Sequence, residues 1–314
     1  LFICSNNNSD GSDELLGALA QHGFITWIDT TADSATRIQR KAYAAALSAV
    51  PQMLDYRWTL VIDLDEILAL DPERYTHIGP FLDLQEARGA DAVGFSWVMM
   101  TPDSQLRHGD DPMISRFCRR EPPENPLIKS AFQTRLAPFA HAHNPHWAWQ
   151  YPFRTLDATG NILHTEQSKI QATGKLIEKN AWIAHYFYKS LEEFVWKNSR
   201  PRGGSNDPTS TQYTAPHFLD SFVRFFDKEK TQHTDKLLNF LPSLKDEIKY
   251  LRDIPDIHDA DSKARKNFRE RIDGLIKQSR ESIETSYYSS DDKKSWHDLL
   301  RRHEVEVGEF YQRS

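Results

Sequence analysis

Residues 58–68, Trp-Thr-Leu-Val-Ile-Asp-Leu-Asp-Glu-Ile-Leu, constrain this chain more than any other stretch. A short apolar run rich in β-branched residues ends in three carboxylates, which predicts a buried strand with acid groups at its C-terminal tip. Open α/β sheets bind ligands at such tips. Asp63 and Asp65 are two positions apart, so a regular strand points both to one face, where they can share a cation. Oxygen donors of this kind suit Mg²⁺ or Mn²⁺, held jointly with a phosphate-bearing substrate. The bland alternative is a polar loop after a strand. Crowded carboxylates, however, repel one another unless something positive sits between them.

At 314 residues the chain can bury a full core, as one large domain or two. A net charge of −6 argues against a generic nucleic-acid binder. No apolar run approaches the roughly 20 residues of a membrane span. Cys4 and Cys118 are too few for a disulfide framework, so a reducing, cytoplasmic setting is expected.

The chain starts on the strand Leu1-Phe2-Ile3-Cys4, and a further strand is expected ahead of it. Ser5 to Ser12 is dense in residues that cap helices and tolerate left-handed geometry. A helix follows at about 13–22, stopped by Gly23, then a strand at 24–28 and a helix at 35–54 with Arg37, Arg40 and Lys41 near its start. This β-α-β-α-β rhythm specifies a mostly parallel sheet flanked by helices. Residues 91–98 form another predicted strand, and a polar loop at 101–112 carries Asp103, His108, Asp110 and Asp111. Shorter strands are expected at 114–118 and 128–136. His141, His143 and His146 are a weak candidate zinc cluster, since neither Cys nor helical His spacing accompanies them.

Residues 181–197 are the second informative stretch. A strand ends at His185, and Ser190 with Glu193 forms a capping box that opens a helix. His185, Lys189 and Lys197 gather at this junction, with Arg200 and Arg202 beyond: an imidazole among cations, suited to metal and diphosphate. The alternative is a solvated basic helix start. From about residue 209 the chain reads as charged helices, and the basic amphipathic segment 263–280 either lies on anionic lipid or packs on its own domain.

Together these stretches resemble the bacterial glycosyltransferase family 2-like proteins. The resemblance rests on Ser9-Asp10-Gly11-Ser12, Asp63-Leu64-Asp65-Glu66-Ile67-Leu68, Gly94-Phe95-Ser96-Trp97, Ser115-Arg116-Phe117, Ile128-Lys129-Ser130 and His185-Tyr186 through Lys197. It covers residues 1–204, with a helical region at 205–314. It implies a GT-A-like fold, a nucleotide-sugar donor (UDP-sugar foremost), Mn²⁺ or Mg²⁺, inversion at the anomeric carbon and a glycan or lipid-linked acceptor. A cytoplasmic place at the inner face of a membrane, in surface glycan assembly, follows from the same likeness. Carried over by residue, Asp63, Asp65 and His185 are the expected metal set. Asn6, Asp10, Asp63, Lys189, Lys197, Trp97 and Arg116 are the expected donor and cleft contacts, although Ser5 and Asn6 stand where related enzymes usually place an Asp for the nucleobase. Asp103, Asp110 and Asp111 are candidates for the base that deprotonates the acceptor. Two other readings stay open. Residues 61–68 also resemble the first motif of haloacid-dehalogenase-like phosphohydrolases, with Gly109-Asp110-Asp111 as a later acidic motif. The third is a non-catalytic sugar- or nucleotide-binding protein on a transferase fold.

Overall fold

The computed structural model describes residues 1–6, 8–30, 38–122, 127–137, 139–140, 145–146, 153–163, 177–200, 216–286 and 288–313. The opening follows the predicted rhythm: strand β1 (Phe2–Ser5), helix α1 (Ser12–Gln21), strand β2 (Thr26–Asp29), helix α2 (Ile38–Ala49) and strand β3 (Trp58–Leu60). Gly23 ends the α1 region with a φ of 77°, a left-handed conformation that costs glycine little. This lets the Phe24 N–H reach back 3.0 Å to the Leu19 carbonyl. β1 and β2 pair in parallel.

The chain continues through β4 (Glu66–Leu70), α3 (Ile78–Ala87), β5 (Ala92–Met99), α4 (Met113–Arg116), β6 (Arg119–Arg120), β7 (Ile128–Gln133), β8 (Phe139–Ala140), β9 (Pro145–His146), β10 (Thr155–Asp157) and β11 (Ala181–His185). A six-stranded sheet takes the order β3-β7-β5-β11-β4, with β10 also on β5. β10 and β11 run parallel to β5, whereas β7 is antiparallel to both β3 and β5, and β4 to β11. The molecule is thus mixed α/β, and this sheet is mixed rather than mostly parallel. Parallel pairing needs a crossover, usually a helix, and the one helix among the described residues between β5 and β7 is the single turn α4, so the chain returns antiparallel. α4 itself replaces part of the strand expected at 114–118. Pro112 at its N-cap supplies a carbonyl that accepts the Ser115 N–H at 2.9 Å, which turns the chain instead of extending it.

Both faces of the sheet are covered. Val93, Phe95 and Ile183 pack with Phe81 and Leu82 of α3, whereas Val98, Met100, Trp182 and Ala184 pack with Ile114, Phe117 and Leu237. Alternation along β5 and β11 sends successive side chains to these two layers. Each fully buried Phe contributes about 1.5–3 kcal/mol.

The remaining elements are α5 (Leu191–Asn198), α6 (Pro216–Arg224), β12 (Gln232–His233), α7 (Leu241–Arg252), α8 (Pro255–Glu284) and α9 (Ser290–Arg313). Leu191, Phe194 and Val195 of α5 share one apolar cluster with Phe222, Ile272, Ile276 and Trp296. The apolar stripe of α8 is therefore packed on its own protein, not offered to lipid. No helix among the described residues is long and apolar enough to cross a membrane.

Candidate functional site

The acid-bearing stretch is not one strand. β3 ends at Leu60, β4 starts at Glu66, and the two lie at opposite ends of the sheet order, so residues 61–65 pass from one side of the sheet to the other. Asp63 and Asp65 flank a turn in which the Glu66 N–H donates to the Asp63 carbonyl at 3.0 Å. Their side chains therefore do not share a strand face as the two-residue spacing predicts. The Tyr186 N–H pins the crossing by donating to the Asp65 carbonyl at 2.8 Å.

Strand register decides what meets this loop. His185 of β11 lies opposite Glu66 of β4 and Met99 of β5, and Lys129 of β7 opposite Phe95 of β5. Side chains two apart share a face, so Lys129, Trp97, His185 and Glu66 converge on one side.

Asp65 is the centre of the first cluster. Its Oδ2 is ion-paired with the Lys197 ammonium, and its Oδ1 lies 3.6 Å from His185 Nε2. Burial opposes its ionisation, but the His185 contact and the charges of Lys197 and Lys189 prevail and hold its carboxyl well below the usual range. His185 is 4% exposed. Burial pulls its pKa below the ordinary imidazole value despite Asp65, so near neutral pH the ring is uncharged and keeps a lone pair. It stacks on Trp97 at 4.3 Å between ring centroids, with Nδ1 3.2 Å from Met99 Sδ. Lys197 also stands 3.8 Å over the Phe187 ring. Lys189 adopts a φ of 53°, a left-handed conformation uncommon for any residue with a side chain, just before the α5 cap.

The second cluster surrounds Lys129, whose side chain is 0% exposed. Its ammonium lies 2.9 Å from Glu66 Oε2 and 3.4 Å from Asp63 Oδ2. Glu66 accepts from Trp97 Nε1 at 2.9 Å and from the Asp63 N–H at 3.0 Å. Burial pushes its carboxyl up to about 7, with Lys129 pulling the other way. Asp63 Oδ1 accepts from Gln39 at 3.1 Å and Tyr43 at 3.4 Å. Two lysines thus answer the mutual repulsion of three carboxylates.

A cavity of about 670 Å³ opens beside this loop, bounded by Asn6, Thr30, Gln39, Tyr43, Trp58 and Asp63. Its lining is mostly apolar with a few polar groups, and its size is that of a small-molecule site.

Of the expected residues, the structure brings together Asp63, Asp65, Trp97, His185, Lys189 and Lys197, with Asn6 at the cavity. It does not bring Asp10, whose carboxylate accepts the Ser12 N–H at 3.1 Å and whose carbonyl accepts Asn267 at 3.0 Å. Arg116 turns to Glu193 at 2.7 Å and serves the packing of the 101–112 loop. The three candidate bases are also engaged elsewhere. Asp103 pairs with Lys228 at 3.3 Å, Asp110 with Arg265 at 2.6 Å and Arg269 at 3.6 Å, and Asp111 with Lys245 at 3.6 Å. His141, His143, Arg37 and Arg202 lie outside the described residues, as does the side chain of His146.

Sequence reasoning missed Gln39 and Tyr43, and gave Glu66 and Lys129 no separate role. A usable signal was present in Ile128-Lys129-Ser130-Ala131-Phe132, where a lone Lys inside a buried strand must have acidic partners.

Among the described residues no group of three or more His, Cys, Asp or Glu is arranged to hold a metal ion. Asp65 Oδ1 and His185 Nε2, 3.6 Å apart, are the two donors nearest each other here, and Asp65 Oδ2 is already held by Lys197. No family model and no curated protein matches the chain.

Proposed function

We propose that this chain is a glycosyltransferase that moves a sugar from a nucleoside-diphosphate donor to a hydroxyl acceptor, on a GT-A-like arrangement. The observation that carries the reading is the pairing of Asp65 with neutral His185 and Lys197, within the field of Lys189, beside a cavity of nucleoside size. Breaking a sugar-phosphate bond leaves charge on the diphosphate, and preorganised cations lower the barrier by meeting that charge as it grows. Lys189 and Lys197 supply it from this chain. Asp65 and His185 would hold Mn²⁺ or Mg²⁺, which would add Lewis-acid stabilisation of the leaving group. Asp63, fixed by Lys129, Gln39 and Tyr43, borders the cavity, where a ribose would sit, and Asn6 lines it too. Action on a surface glycan precursor at the inner face of a membrane accords with this chemistry.

Calorimetry with UDP, GDP and CMP, each with and without Mn²⁺, tests the reading. Mn²⁺-dependent binding of one nucleotide, lost in Asp65→Ala while the thermal transition persists, is expected. Binding that is equal in wild type and Asp65→Ala overturns it, and phosphatase turnover at Asp63 would replace it.

A further inference from the structure

The 101–112 loop carries a group better placed for proton transfer than its three aspartates. Two N–H groups at the start of α5 fasten it, Leu191 to the Gln105 carbonyl and Glu192 to the Leu106 carbonyl, both at 3.1 Å. The His108 N–H in turn donates to Glu192 Oε2 at 2.7 Å, and the other oxygen of Glu192 meets the buried His303 Nε2 at 2.8 Å. The backbone of His108 is thus fixed from both α5 and α9.

Its ring faces a carboxylate at ion-pair distance. His108 Nδ1 lies 3.6 Å from Glu193 Oε1, while Glu193 Oε2 accepts from Arg116 at 2.7 Å and from Ser190 Oγ at 2.7 Å. Those donors overcome burial and hold the Glu193 carboxyl down at about 2, so it stays anionic. Phe268 of α8 flanks the imidazole at 4.9 Å. The side chain is 28% exposed, and neither ring nitrogen makes a hydrogen bond among the described residues, Nδ1 being buried against the Glu193 carboxylate. Glu193 and Lys197 are four residues apart on α5, hence on one face and one turn from each other. The carboxylate that faces the imidazole and the ammonium clamped to Asp65 thus come from residues one turn apart on α5.

Resting on the transferase reading, we propose that His108 is the catalytic base, with Glu193 as its positioning residue. His108 Nε2 takes the acceptor hydroxyl proton as that oxygen bonds to the anomeric carbon. The bond from that carbon to the diphosphate oxygen breaks, and its electron pair leaves on the phosphate. The imidazolium is balanced by Glu193 and returns its proton to water. A carboxylate-oriented imidazole with a free nitrogen is a common form of general base. Glu193 and Glu192 from α5, and Arg116 from α4 through Glu193, are the charged groups around it.

The test uses the full chain with Mn²⁺ and UDP-glucose, UDP-galactose and UDP-N-acetylglucosamine, reading UDP release, and calorimetric binding of Mn²⁺-UDP. His108→Gln is expected to lower kcat by about 10²–10⁴-fold with nucleotide affinity unchanged. His108→Gly should recover part of that loss in added imidazole, which a purely structural role would not show. Glu193→Gln, which preserves the helix cap, should lower kcat and not nucleotide affinity. Full turnover in His108→Gln, or a loss that imidazole cannot relieve and that brings equal loss of nucleotide binding, overturns the assignment alone. A wild-type chain that binds no nucleoside diphosphate overturns it together with the transferase reading.

Discussion

Lys129→Met removes a fully buried ammonium and leaves Glu66 facing its own desolvation. Removing one partner of a buried ion pair costs about 3–5 kcal/mol when the other stays charged. Glu66 can escape by protonating, and this makes the loss depend on pH. Its folded pKa is already raised from 4.5 to about 7, chiefly by burial. A carboxyl raised in this way gives stability that is fully present below its unfolded pKa. That stability is lost as pH climbs through the folded value, here by about 3 kcal/mol. Lys129 is the strongest group holding that value down, so its removal extends the loss to higher pH. Urea unfolding followed by circular dichroism should show Lys129→Met about 3–5 kcal/mol less stable than wild type at pH 8. The difference should shrink to about 1–2 kcal/mol at pH 5, where Glu66 is neutral and the loss is its hydrogen bond and the longer, half-exposed contact with Asp63. Adding Glu66→Gln should recover most of the pH 8 loss. A deficit that is the same at both pH values, or a double variant no more stable than the single one, would refute the reasoning.

Two further outcomes follow from the same geometry. His185→Ala should weaken Mn²⁺ binding on the order of tenfold or more, counted as free Mn²⁺ by electron paramagnetic resonance; affinity equal to wild type would return His185 to a packing role against Trp97. Ser190→Ala removes the Oγ that accepts the Glu193 N–H at 3.3 Å, and should cost about 1 kcal/mol by calorimetry, with an unchanged transition speaking against the cap.

Elements set by local chemistry are legible in the residues themselves. The β1-α1-β2-α2 opening, β5, the end of β11 at His185 and the Ser190–Glu193 capping box stand where periodicity and cap residues put them. Residues 114–118 misled because Ile, Phe and Cys favour a strand, whereas Pro112 and the short reach to β6 favour a turn. The 58–68 run misled for a different reason. Its residues do form strand, but in two pieces that pair with different partners, β7 and β11. Nothing within eleven residues encodes which strand each half will join. Asp110 and Asp111 looked available because their partners, Arg265, Arg269 and Lys245, lie more than a hundred residues away.

The sequence by itself determined the acid-rich stretch, the strand that ends at His185 and the helix that carries Lys197, since hydrophobic period and capping act over a few residues. Tertiary structure alone decided that β11 would lie between β4 and β5. That register sets His185 beside Glu66, buries Lys129 under Asp63 and returns Lys197 to Asp65 across 132 positions of chain. Burial then did what no local pattern records: it raised the Glu66 carboxyl, kept His185 neutral and let the neighbouring cations hold Asp65 ionised.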